Sequence, residues 1–175
     1  VFIKSQRNKN GLFTEGEAMP RPFNETADNQ GGCSISINNK NLYFAMTRME
    51  GGLQPNCDIY ISDFIDGEWT EIRKLSANVN DPKYWDSQPS ISSDGITLYF
   101  ASDRPGGYGG IDLYYTRKDL KTGQWSIPKN LGPTINTKGD EKTPFIHSDS
   151  ETLYFSSTGH FGFGKYDIFY TKKNE

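Results

Sequence analysis

Three aspartates, Asp58, Asp112 and Asp167, each open a short apolar or aromatic run and follow a Gly-rich or polar stretch. A carboxylate placed there accepts backbone N–H bonds from the loop before it and holds the turn. Asp103 and Asp112 flank one such stretch, and calcium can sit between carboxylates so spaced. Thr47 and Thr158 stand where counterparts of Asp103 should be, however, and no spaced series of oxygen ligands accompanies it. No metal ligand is therefore assigned, and no cofactor is expected. The glycines at 106–110 do not form a phosphate loop, because the Gly-Lys-Ser/Thr ending is absent and no helical pattern follows. The histidines are His147 and His160. Neither joins a Ser-His-Asp or Cys-His set that spacing alone could assemble.

The elements that position these residues announce themselves as repeats. Leu42-Tyr43-Phe44 recurs as Leu98-Tyr99-Phe100 and Leu153-Tyr154-Phe155, at steps of 56 and 55 residues. The aspartates recur with them. Phe13, Trp69 and Trp125 fall 56 apart, as do Asn24, Asn80 and Asn136. A residue present in every unit is read as structural, which covers Asp58, Asp112, Asp167, Trp69 and Trp125. A residue present in one unit only is free to serve function.

Each unit reads as four strands: an alternating strand, a tight turn such as Asp94-Gly95, the Leu-Tyr-Phe strand, a strand opened by Asp, and a Trp strand ending near Leu75 or Leu131. The expected fold is all-β, made of β-propeller blades of four antiparallel strands with a period of about 55–56 residues. Each blade needs neighbours to bury its faces. No sustained i, i+3, i+4 apolar pattern supports helices, and a β-sandwich leaves the strict period unexplained. The expected organisation is a single propeller segment. Residues 1–29 end a preceding blade and connect it onward, 30–86 and 87–141 are blades, and 142–175 is a partial blade. Closed propellers have four to eight blades, so the chain is read as an incomplete propeller and as a piece of something longer. Self-association could close the ring, two sets of three making six.

Composition agrees. Aromatic residues make up 14% of the 175, with 18 Gly and 9 Pro, which suits short strands and turns. The net charge is −3, and nothing argues for nucleic-acid binding. No apolar run approaches the roughly 20 residues of a membrane helix.

The segments 87–116 and 123–157 resemble WD-like, TolB-type propeller repeats. More closely, they resemble the propeller of Bacteroidota envelope proteins that join tetratricopeptide repeats, such a propeller, a carboxypeptidase-regulatory-like domain and an OmpA-type domain. The resemblance spans about Pro20 to Lys172. It implies a non-enzymatic interaction or scaffold module in the periplasm, associated with the outer membrane, with members in the type IX secretion and gliding machinery. It implies other envelope proteins as partners, and peptidoglycan only through a domain outside this chain. The other function weighed is a glycan- or peptide-acting hydrolase on a propeller fold, for which no carboxylate pair can be nominated from sequence.

Protein contact is assigned to large residues on loops, where Trp, Tyr and Arg dominate interface energetics: Trp85, Arg104, Tyr108, His160 and Phe161. For Trp85 the competing reading is loop anchoring. For the loop that holds His160 and Phe161 it is packing on an adjacent blade. Cys33 and Cys57, the two cysteines, stay open as a disulfide. An even count suits an oxidising compartment, but an intervening strand would hold them nearly 10 Å apart.

Overall fold

The computed structural model describes residues 2–25, 28–48 and 56–173, and no α-helix occurs among them. The protein is all-β and propeller-like. A hairpin of β1 (Ile3–Lys4) and β2 (Glu17–Ala18) precedes three sheets. The first has β3 (Asn29–Ile35), β4 (Asn41–Arg48) and β5 (Asn56–Ile65), with β6 (Glu68–Trp69) and β7 (Arg73–Lys74) both pairing with β5. The second runs β8 (Asp86–Ile91), β9 (Thr97–Ser102), β10 (Asp112–Arg117), β11 (Lys129–Asn130). The third has β12 (Glu141–Ile146), β13 (Thr152–Ser157) and β14 (Asp167–Lys172). All pairings are antiparallel, and the register repeats: Asp58 faces Met46, Asp112 faces Ser102 and Asp167 faces Ser157.

The tight turns fall where Asn39, Gly95 and Ser150 adopt φ of 57°, 70° and 59°. Each closes with an N–H to the carbonyl three residues back, on Ser36, Ser92 and His147. The fourth strand is shorter than the sequence suggests. Trp125 is joined to Lys118 by one isolated bridge, and β11 starts only at Lys129. Pro128 between them has no N–H to give the ladder.

Alternation in the repeated triplet builds the blade contacts. Leu42, Phe44 and Met46 point to one face of their sheet and pack with Phe23 and Tyr60, backed by Phe2, Met19 and Trp69. Tyr43 points to the other face and meets Ile91, Leu98, Phe100 and Trp125 of the second sheet. Ala101 and Leu113 pass to Phe155 and Phe169 of the third. Each fully buried Leu or Phe contributes about 1.5–3 kcal/mol, so the junctions carry much of the stability. The strands β3, β8 and β12 lie side by side. Ile91 N–H donates to Ser34 Oγ (3.1 Å) and Ile146 N–H to Ser90 Oγ (2.9 Å), tying each inner strand to the next.

Candidate functional site

The repeated aspartates act on their loops. Asp112 accepts N–H bonds from Tyr108 (2.6 Å) and Gly109 (3.0 Å), and a third from Asn130 Nδ2 (2.8 Å). Asp167 accepts the N–H of Gly164 at 2.9 Å. Asp58 pairs with Lys74 at 2.7 Å, while the loop before it, 49–55, lies outside the described residues, as does the side chain of Arg48. Asp103 accepts the Trp85 N–H at 2.7 Å. The carboxylates weighed for calcium are thus engaged by N–H donors. Trp69 packs edge-on to Phe23, and Trp125 edge-on to Tyr43.

The repeated asparagines have a role that spacing did not disclose. Asn80 Oδ1 accepts the N–H of Ile59 (2.7 Å), and its Nδ2 donates to the carbonyls of Ile59 (2.9 Å) and Leu75 (3.1 Å). Asn136 does the same to Leu113, at 2.8 and 2.9 Å. Each connector therefore clamps the third strand of the blade it has just left.

Of the five expected contact residues, Tyr108 and Phe161 present their rings to solvent, 48% and 96% exposed. Phe163 beside them is fully exposed. The other three are half-buried, and each also anchors its loop to the protein. Trp85 packs against the core shared by the second and third sheets. His160 lies over Phe155 and Phe169, with Nε2 2.8 Å from the Ile135 carbonyl. Arg104 donates to Asp86 (2.5 Å) and to the Val79 carbonyl (2.8 Å), and its guanidinium sits on the rings of Phe100 and Tyr114. A large amphipathic side chain on a loop suits packing under the next blade as well as it suits a partner, so residue type does not separate the two. Cys33 and Cys57 are both free thiols, the first exposed and the second buried. They lie on β3 and β5 with β4 between, opposite Phe44 and Thr47, so the disulfide does not form.

The buried acids Asp86 and Glu141 were not singled out as sites. With Gln30 they share steps of 56 and 55, the signal that could have found them. Burial pushes the Asp86 carboxyl above its usual range, against the pull of Ser102 and Arg104. Glu141 accepts from Thr137 N (2.8 Å), Thr137 Oγ1 (2.7 Å) and Ser157 Oγ (2.6 Å). Both acids tie connector to inner strand, Asp86 through the Asp81 N–H and Glu141 through Thr137.

Two hollows remain. One, of about 510 Å³, lies at the inner strands and is lined by Cys33, Ser87, Gln88, Thr143 and Phe145 among others. Each inner strand bulges there, with Gly32, Gln88 and Thr143 at φ of 41°, 56° and 50°. That conformation costs a non-glycine residue about 1–2 kcal/mol; Gln88 Oε1, which accepts the Thr143 N–H at 2.9 Å, helps hold it. The other, of about 730 Å³, is a cleft between the first two sheets, lined by Tyr43, Asp63, Arg73, Lys118 and Trp125 among others. Burial and nearby Asp63 push the Tyr43 hydroxyl up to about 12. Asp63 is paired with Arg73 and bonded by Asn41. Neither hollow is lined by a histidine.

No protein-family model matches the sequence, and no curated protein does. Among solved structures the fold is similar to that of a puromycin-hydrolyzing peptidase from Mycobacterium tuberculosis, with a TM-score of 0.53 and 15% identity. That match covers 85% of this chain but 22% of the peptidase. The tricorn protease gives a TM-score of 0.49 at 11% identity over 74% of this chain and 15% of its own. This chain thus spans about a fifth of the peptidase's length, and at such identity the first likeness shows the propeller-type fold alone.

Proposed function

We propose that this propeller segment is a non-enzymatic docking module of a periplasmic envelope protein associated with the outer membrane. It binds other envelope proteins through the loops between its second and third strands. The observation that carries the reading is the segment Phe161-Gly162-Phe163. Both rings stand in solvent on a loop whose backbone is pinned by Asp167, with Tyr108 on the matching loop of the second sheet. Exposed aromatic rings on a pinned loop bind with little ordering cost, as interface anchors do. The repeat's resemblance to the Bacteroidota envelope proteins supports the location and a role alongside type IX secretion or gliding. In that reading peptidoglycan is held by a domain outside this chain.

The hydrolase alternative draws on the peptidase neighbour. Against it, the His160 Nε2 is occupied by a carbonyl and His147 sits on an exposed turn. The test is capture from envelope extracts with the protein and with Phe161→Ser/Phe163→Ser. Enriched envelope proteins that the double variant loses, at an unchanged unfolding midpoint, support the reading. Identical captures by both proteins, or peptide or glycan hydrolysis by the purified protein, overturn it.

A further inference from the structure

The cleft between the first two sheets holds donors that the fold leaves unused. Tyr43 and Trp125 line it and are 3% and 6% exposed, their rings edge to face with centroids 6.3 Å apart. A tyrosine or tryptophan buried to that degree normally has a partner for its O–H or N–H. Among the described residues nothing hydrogen-bonds the Tyr43 hydroxyl or the Trp125 indole N–H, yet neither atom is sealed in the core. Both therefore open on the cleft that their residues line. With its hydroxyl held up to about 12, Tyr43 stays a donor throughout the neutral range.

Charge is the second, independent sign. In a chain of net charge −3, the cleft is lined by Lys40, Arg73, Lys74 and Lys118 against the single carboxylate of Asp63. Arg73 is engaged by Asp63, and Lys74 by Asp58. Lys118 has no carboxylate partner among the described residues; its Nζ lies 5.8 Å from the centre of the Trp125 ring. Lys40 has none either, and the repeat shows that its neighbourhood is particular to the first unit. Asp94 and Asp149 start the tight turns of the second and third units and accept the N–H two residues on, at 2.9 Å in both. In the first unit Asn38 makes the same bond to Lys40 N–H at 3.0 Å. The turn is kept and its negative charge is gone. Lys40 itself stands where the other units have Ile96 and Glu151.

We propose that this cleft binds a short acidic saccharide, a chain of uronic-acid type. Its carboxylate is taken by Lys118 and Lys40 in charge-assisted bonds. Its hydroxyls accept from Tyr43 and Trp125 and donate to Asp63, and its C–H face rests on Phe64, which lines the cleft with a ring 36% exposed. The volume of about 730 Å³ is that of a small-ligand site. An acidic peptide suits the cleft less well, because it brings no hydroxyls for Asp63 and is repelled by it. In the first sheet the site lies at the Asn41–Asp63 end of the strands. The loops between second and third strands leave from the other end, so this binding is independent of the protein docking proposed above.

Titration calorimetry of the purified protein with tri-galacturonate tests this, with maltotriose and tri-glutamate as the neutral and the peptide probes. Tri-galacturonate is expected to bind at low salt and to weaken as salt is raised, with maltotriose weaker by about tenfold or more. Lys118→Met keeps the aliphatic stem over Trp125 and weakens binding by about tenfold or more, as loss of a bond to a charged group does. Tyr43→Phe keeps the ring and weakens it by about three- to tenfold. Lys40→Met, on an exposed turn, gives the same direction without touching the core. Melting temperatures establish that each variant is folded. The inference is overturned if tri-galacturonate gives no binding, if maltotriose or tri-glutamate binds as tightly, or if the folded variants all bind like the parent.

Discussion

Replacing Asn80 by alanine isolates the connector clamp, because the repeat supplies its own control. Asn80 and Asn136 are 2% and 1% exposed, whereas Asn24 at the same repeat position is exposed. Asn80→Ala removes the acceptor of the Ile59 N–H, a group on a fully buried residue. An orphaned buried donor costs about 1–3 kcal/mol. The Ile59 carbonyl keeps the Leu75 N–H at 3.0 Å, so its loss is partial, and the vacated amide leaves a small void. Together these come to about 2–4 kcal/mol. For a chain of this size that lowers the melting temperature by about 4–16 °C. Asn136→Ala falls in the same range, and Asn24→Ala stays within about 0.5 kcal/mol. Urea unfolding followed by Trp fluorescence reads all three. An Asn80→Ala midpoint indistinguishable from that of Asn24→Ala would falsify the clamp.

Other consequences follow from single groups. Arg104→Met strands Asp86 in the interior and destabilises by about 3–5 kcal/mol; the double change with Asp86→Leu recovers most of that loss, as a double-mutant cycle of urea midpoints will show. The raised Tyr43 hydroxyl makes alkali destabilising: the unfolded tyrosine ionises near 10 and the folded one near 12, so its stabilising contribution is complete below 10 and is lost as pH rises to 12. Tyr43→Phe removes that part of the alkaline sensitivity, which unfolding midpoints between pH 9 and 12 will reveal (roughly the window set by the two values). Cys33 reacts with a thiol reagent in the folded protein, and Cys57 only on unfolding; intact mass after alkylation under non-reducing conditions shows one added group when native and two when denatured.

The roles of the repeated residues were legible to the extent that they are local. Asp112 and Asp167 bond N–H groups three or four residues away, so their roles follow from chain geometry that every copy shares. The anchoring contacts of Trp85, Arg104 and His160 were not legible, because each half-buried side chain meets residues that are distant in sequence. Arg104 reaches Val79, 25 residues back, and His160 reaches Ile135, also 25 back. The left-handed bulges at Gln88 and Thr143 left no trace in residue type, since neither residue favours that conformation.

By itself the sequence determined the fold class, the period, the turn positions and which residues alternate toward the sheet faces. These follow from backbone geometry and side-chain alternation, which act over a few residues and recur in every unit. The tertiary structure alone decided which of two equivalent faces is covered. Tyr43 and Tyr154 are the same residue in the same motif, and only the neighbour packed against the first makes one core and the other surface.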